Sequence, residues 1–131
     1  MNLSKNLKKG EIIFHEGNPS DCAYIIGMGS IEIFTTTPKG KKILGVLGEN
    51  EIFGEMGLID GLSRSASAKT REESVIYTIA PETFEQLVQK NPKALVPILK
   101  ILTNRLRGTI SYLNQDFKLP RTNWRFIDYN L

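Results

Sequence analysis

Cysteine and histidine are almost missing from this chain: its 131 residues contain one of each, Cys22 and His15. A single cysteine excludes an intrachain disulfide and a thiolate metal cluster. Cys22 is expected to be a small core residue within a strand. One histidine and one cysteine do not furnish the ligand set of a metalloenzyme. A Ser–His–Asp hydrolase would have to use His15, and the sequence has no Gly-x-Ser-x-Gly elbow to present a nucleophile. His15, beside Glu16 at the end of a strand, reads as a surface residue, and catalysis is not expected. Long apolar runs are missing too. No stretch reaches the roughly 18 apolar residues that a membrane span needs, and the first residues lack the apolar segment of a secretory signal. A cytoplasmic protein without membrane contact is expected.

Charge of one sign is also scarce. The net charge is only +3, and the basic residues are spread. Lys5, Lys8 and Lys9 lie in front, Lys39, Lys41 and Lys42 in a turn, Arg105 and Arg107 near the end. No basic patch is interleaved with aromatics, and no helix-turn-helix domain follows, so nucleic acid is not an expected partner. What is present is ordinary globular material. Hydrophobic residues at 40% and charged residues at 24% suit one domain with one core.

Residues 1–10 are polar with two leucines and suggest a lead-in helix or an ordered arm. From about residue 10 to 80, short β-type runs alternate with turn residues. The strand cores are Ile12–Phe14, Ala23–Ile26, Ile31–Phe34, Ile43–Leu47 and Val75–Ile79. Glycine, proline and asparagine punctuate them at 17–20, 27–29, 38–40 and 48–50. Many short strands at regular spacing predict a mainly β fold, an antiparallel barrel or jelly roll with helices flanking it.

After Ile79 the period turns helical. Pro81 suits a first helical position, and Phe84, Leu87 and Val88 share a face up to Lys90. Asn91 and Pro92 restart the helix as cap and first residue. Leu95, Leu99, Leu102, Leu106, Thr109 and Leu113 recur at spacings of 4, 3, 4, 3 and 4, a heptad seam with one polar member. Ile98, Ile101 and Ile110 add a second strip, so burial on two sides is expected, one against the barrel and one against a second subunit. Pro97, in the second turn of that helix, predicts a kink or break near 93–96. The tail from 117 to 131 has aromatics without a period and reads as a packed C-terminal arm.

One stretch, residues 53–70, stands apart. Glu55 and Arg64 are opposite charges nine residues apart among small and apolar neighbours. Gly54, Gly57 and Gly61 let the backbone between them turn tightly. A turn of helix from Gly57 to Gly61 would start with unpaired N–H groups that suit an anion. Arg64 can pair bidentately with a phosphate, with the Ser65 hydroxyl filling another acceptor position. Glu55 cannot serve a phosphate, but it can accept a hydrogen bond from a sugar hydroxyl. A salt bridge closing a loop is the plainer reading, yet small residues around the arginine leave room for a ligand.

Phe53, Gly54, Glu55, Arg64, Ser65 and Ala66 together resemble the phosphate-binding cassette of the cyclic nucleotide-binding domain family, in particular the effector domains of the Crp-Fnr superfamily. Glu16-Gly17, Asp21, Tyr24 and Gly29 match the family's first strands and turns. Two positions depart: Ser63 stands where many members have proline, and Gly57 where relatives often have alanine. The resemblance implies a regulatory or sensor domain over residues 1–116 that binds a cyclic nucleotide and repositions its last helix. The implied ligand-binding residues are Gly54, Glu55, Met56, Arg64, Ser65, Ala66, Thr109, Ile33 and Leu44. Thr109 matches a threonine that meets the adenine, whereas Ile110 replaces a base-contacting serine of the partner subunit. The implied ligand is cAMP, with cGMP as the alternative. Output would pass to an effector protein or through a homodimer along residues 95–113, because the resemblance stops short of a DNA-binding domain. A barrel that only mediates interaction is the second reading, and a DNA-associated transcription regulator the third.

Overall fold

In the computed structural model, which describes residues 4–117, eight strands pair in a nested order. They are β1 (Ser4–Leu7), β2 (Ile12–Phe14), β3 (Ala23–Met28), β4 (Ile31–Thr37), β5 (Gly40–Leu47), β6 (Ile52–Phe53), β7 (Ser67–Thr70) and β8 (Ser74–Ile79). β4 pairs antiparallel with β5, β3 with β6, β2 with β7 and β1 with β8. The chain is thus one long hairpin rolled on itself. Lateral pairs β3–β8 and β4–β7 join the turns into two sheets, ordered β1-β8-β3-β6 and β2-β7-β4-β5. This is the antiparallel jelly roll that the strand spacing predicts.

The core lies between the sheets. Tyr24, Ile26, Ile31, Phe53, Ala68 and Ile76 are buried together, with Leu7, Ile13, Phe14, Cys22, Ile33 and Leu47 packed against them. Each large side chain removed from water there contributes about 1.5–3 kcal/mol. The five strand cores read from β-branched residues all form strands. Three further strands are too short or too polar to stand out. β1 replaces the expected lead-in helix, so the barrel starts at Ser4, not near residue 10; pairing of Ser4 with Tyr77 through Leu7 with Ser74 overrides the polar local sequence. β6 has two residues, both buried. β7, Ser-Ala-Lys-Thr, has only small residues on its buried side because β2 and β4 flank it.

Three helices follow the pattern with small shifts. α1 (Met56–Asp60) starts one residue before the predicted turn and ends at Gly61, whose φ of 74° is a left-handed cap. α2 (Pro81–Lys90) begins at Pro81, as expected. Asn91 and Pro92 open a 3-10 turn over Pro92–Leu95, not an α-helix, and Ala94 N–H donates to the Asn91 carbonyl. α3 (Val96–Phe117) then starts afresh. Pro97 therefore sits at the second residue of a new helix, where its missing N–H loses nothing, and the chain breaks before it.

The chain divides into two units, 1–94 and 95–131. In the second, no described α3 side chain is buried, and Leu99 and Leu106 are 58% and 57% exposed. The expected arm begins with Phe117 inside α3 and otherwise lies outside the described residues. Among the described residues, no helix is long and apolar enough to cross a membrane.

Candidate functional site

The nested pairing has a local consequence. Because β2 pairs with β7 and β3 with β6, the β2–β3 connector (15–22) runs beside the β6–β7 connector (54–66). The second connector carries the predicted cassette. The two are stitched by backbone hydrogen bonds, Arg64 N–H to the Asn18 carbonyl and Gly17 N–H to the Arg64 carbonyl, both 2.8 Å. Glu16 N–H adds a bond of 2.8 Å to Ser67 Oγ.

Arg64 is the centre of this seam, with 5% of its surface exposed. Its Nη1 donates to the Gly54 carbonyl at 2.8 Å and its Nη2 to the Cys22 carbonyl at 2.8 Å. The guanidinium lies 4.1 Å over the Phe14 ring, with the Tyr24 ring 5.9 Å away. Asp21 Oδ1 is 3.4 Å from Nη2, but that side chain is 82% exposed, so water screens the pair. Arg64 Nε is buried and has no hydrogen-bond partner among the described residues. Arginine stays protonated in proteins. The site therefore holds a desolvated cation with two ends fixed by neutral carbonyls and its Nε uncommitted. Such an arrangement favours an anion, since burying a charge is unfavourable unless it is paired.

Gly54 is needed here twice over. Its φ is +76°, and an added Cβ would stand 2.6 Å from Arg64 Nη1 and 3.3 Å from the Phe14 ring. Glu55, 2% exposed, follows at the head of α1; its side chain does not cap the helix, while its carbonyl accepts from Leu58 N–H at 3.0 Å. Met56 is 55% exposed, and the exposed Ser65 hydroxyl lies 3.9 Å from its sulfur. Ala66 is buried directly before β7.

The structure thus gathers Gly54, Glu55, Met56, Arg64, Ser65 and Ala66 on one connector. Ile33, in β4, leans on the core, and Leu44, in β5, is 55% exposed. Thr109 is on α3 in the second unit, where its hydroxyl donates to the Arg105 carbonyl at 2.9 Å.

Sequence reasoning did not assign Phe14, Asn18 and Cys22 to the site. With Ile13, Pro19, Asp21 and Tyr24, Phe14 and Asn18 line a cavity of about 220 Å³ that Arg64 also borders. Cys22 precedes β3 and is half-buried, so it is not the strand residue expected; its carbonyl serves Arg64 because it has no ladder partner. The Tyr24 phenol is pushed up from its ordinary value, first by burial and then by a hydrogen bond with the Cys22 side chain. It stays neutral under Arg64.

Comparison with known proteins bears directly on this connector. The profile of the family described as "Cyclic nucleotide-binding domain" matches residues 4–91. A cyclic AMP receptor protein of Thermus thermophilus is 32% identical over 100 residues, covering 76% of this chain and 46% of the relative. The chain spans about half the length of the curated relatives it matches. Among solved structures, the Thermus thermophilus catabolite activator protein superposes with a TM-score of 0.76 at 29% identity, covering 86% of this chain and 53% of that one. The EAL enzyme Bd1971 is 38% identical. Its cAMP-bound form superposes with a TM-score of 0.65, covering 88% of this chain and 32% of the enzyme. Its cGMP-bound form gives 0.66, with 97% and 34% covered.

Proposed function

The chain belongs to the cyclic nucleotide-binding domain family, and from that premise we propose that it is a non-enzymatic, cytoplasmic regulatory module that binds cAMP, with cGMP a weaker ligand. The observation that carries this reading is the uncommitted Nε of buried Arg64. A cyclic phosphate oxygen accepts from that N–H and neutralises the charge in a site that is already desolvated. The carbonyls of Gly54 and Cys22 fix the far edge of the guanidinium in advance, so little ordering accompanies binding. Ser65 Oγ offers a second donor to the phosphate, beside Gly54 and Ala66. Glu55 accepts the ribose hydroxyl, Met56, Ile33 and Leu44 supply apolar surface for sugar and base, and Thr109 meets the adenine.

Regulation follows from the second unit. A ligand that engages Thr109 biases α3 toward the pose in which that contact exists, by no more than its differential affinity for the two poses. The hydroxyl first releases the Arg105 carbonyl. Output then passes to an effector protein or to a second copy of the chain along the Leu99–Leu113 seam. Preference for cAMP is supported by the cAMP receptor protein of Thermus thermophilus, whereas Bd1971 has been solved with either nucleotide.

Calorimetric titration with cAMP and cGMP tests the reading. The parent should give saturable heat, stronger for cAMP. Arg64→Ala should weaken binding by about 3–5 kcal/mol, since the phosphate charge would be left buried and unpaired. A parent that binds neither nucleotide would leave the exposed α3 seam as the chain's one assigned role, that of an interaction module.

A further inference from the structure

The two connectors that meet at Arg64 also meet at a second point. An atom placed at the Cβ position of residue 57 would stand 1.9 Å from Ser20 Cβ, 2.1 Å from Ser20 Oγ and 2.8 Å from the Leu62 carbonyl. No side chain fits in that gap. Gly57 lies within α1 at an ordinary negative φ, unlike Gly54 and Gly61, so conformation does not require glycine there. In a helix interior glycine is about 1 kcal/mol less favourable than alanine. Space is what Gly57 supplies.

Ser20 fills that space by shape. Its hydroxyl is buried without a hydrogen-bond partner among the described residues. On either side of it in sequence stand the groups that hold Arg64: Gly17 and Asn18 bond its backbone, while Asp21 and Cys22 receive Nη2. A shift at residue 20 therefore reaches both the main chain and the guanidinium of Arg64. Main-chain bonds on one flank and a carbonyl on the other leave no slack to absorb it.

We propose that Ser20, seated in the notch left by Gly57, is a positioning residue for the phosphate grip. It locks the 15–22 connector against α1 and thereby holds the Arg64 guanidinium where its Nε is uncommitted. The functional consequence rests on the cyclic nucleotide reading given above, whereas the mechanical coupling does not.

Gly57→Ala, Ser20→Gly and the double variant test the coupling in the full chain by two readouts. One is cAMP titration. The other is the Arg64 Nε–H resonance of the free protein in ¹⁵N NMR, assigned by its loss in Arg64→Lys. Gly57→Ala should weaken cAMP by about tenfold or more, because a displaced guanidinium loses the geometry of its charge-assisted bond, and should move the resonance. Ser20→Gly combined with Gly57→Ala should return affinity to within about threefold of the parent and restore the resonance, as expected for two groups that share one contact. Relief of a merely destabilising clash would also restore affinity, so the resonance, read on the folded free protein, carries the distinction: it moves in Gly57→Ala only if the guanidinium is displaced. Ser20→Val presses on the same notch from the other side and should reproduce both effects, which keeps the test open if Gly57→Ala does not fold. A Gly57→Ala protein with parental affinity and resonance overturns the proposal, as does a double variant no better than the single, or a silent Ser20→Val. If the parent binds no cyclic nucleotide, the functional reading fails, and the resonance and its rescue still decide the coupling.

Discussion

The barrel and α3 solve opposite problems. In the barrel, Ile26, Ile31, Ala68 and Ile76 are wholly buried, and a charged residue, Arg64, is buried with them. In α3, a stripe of leucines at heptad spacing runs the length of the helix, yet none of its described side chains is buried. The first region is closed by its own contacts, with the Arg64 Nε left uncommitted among them. The second shows an apolar face whose period suits a helical partner. A sequence can therefore pattern a surface as regularly as a core.

Three substitutions sharpen that contrast beyond Arg64→Ala. Ile26→Ala in the barrel should lower the unfolding free energy by about 2–5 kcal/mol in denaturant titration, through lost burial and the cavity left behind. A loss well under 1 kcal/mol would mean the two sheets can close over the gap. Leu106→Ala in α3 should shift stability by no more than about 0.5 kcal/mol in dilute protein, as for other exposed positions. Sedimentation at rising concentration turns this into a test of the seam. Dimers in the parent and monomers in Leu106→Ala would show that a second copy covers the stripe, and equal behaviour would remove that role.

The smallest effect concerns pH. Burial raises the Tyr24 phenol above its ordinary value in the folded protein, so the folded state holds that proton more tightly than the unfolded one. The associated stability is intact below the free phenol value of about 10 and is lost as pH climbs toward the folded value. Tyr24→Phe has no such proton to lose. Its thermal midpoint should fall less steeply than the parent's above about pH 10, and parallel curves would assign alkaline unfolding to other groups.

Legibility divides along physical lines. β3, β4, β5 and β8 carry β-branched and aromatic residues at strand spacing, so pattern alone finds them. β1 and β7 do not, because their pairing partners, not their own side chains, make them strands. Arg64 and Glu55 stand out in sequence as charges among small residues. The groups that hold Arg64 do not, since the Cys22 and Gly54 carbonyls are backbone atoms that any sequence possesses, brought close by topology. Phe14 looked like an ordinary strand residue, and only the pairing of β2 with β7 places it under the guanidinium. The reason for Gly57 was hidden in the same way, in a loop far away in sequence.

The rolled hairpin also dictates an order of assembly. β4 and β5 are joined by a tight turn, whereas Ser4 must find Tyr77 across most of the barrel's chain. Closing the longest loop first carries the greatest entropic penalty, so we expect the roll to zip from the β4–β5 end outward and β1 to dock last. Destabilising changes at Ile33 would then slow refolding, while changes at Leu7 would mainly hasten unfolding, and stopped-flow chevrons showing the reverse would refute that sequence. On this route the two connectors around Arg64 come together only after β3–β6 and β2–β7 have paired. Nucleotide would therefore slow unfolding of the finished barrel without hastening its formation.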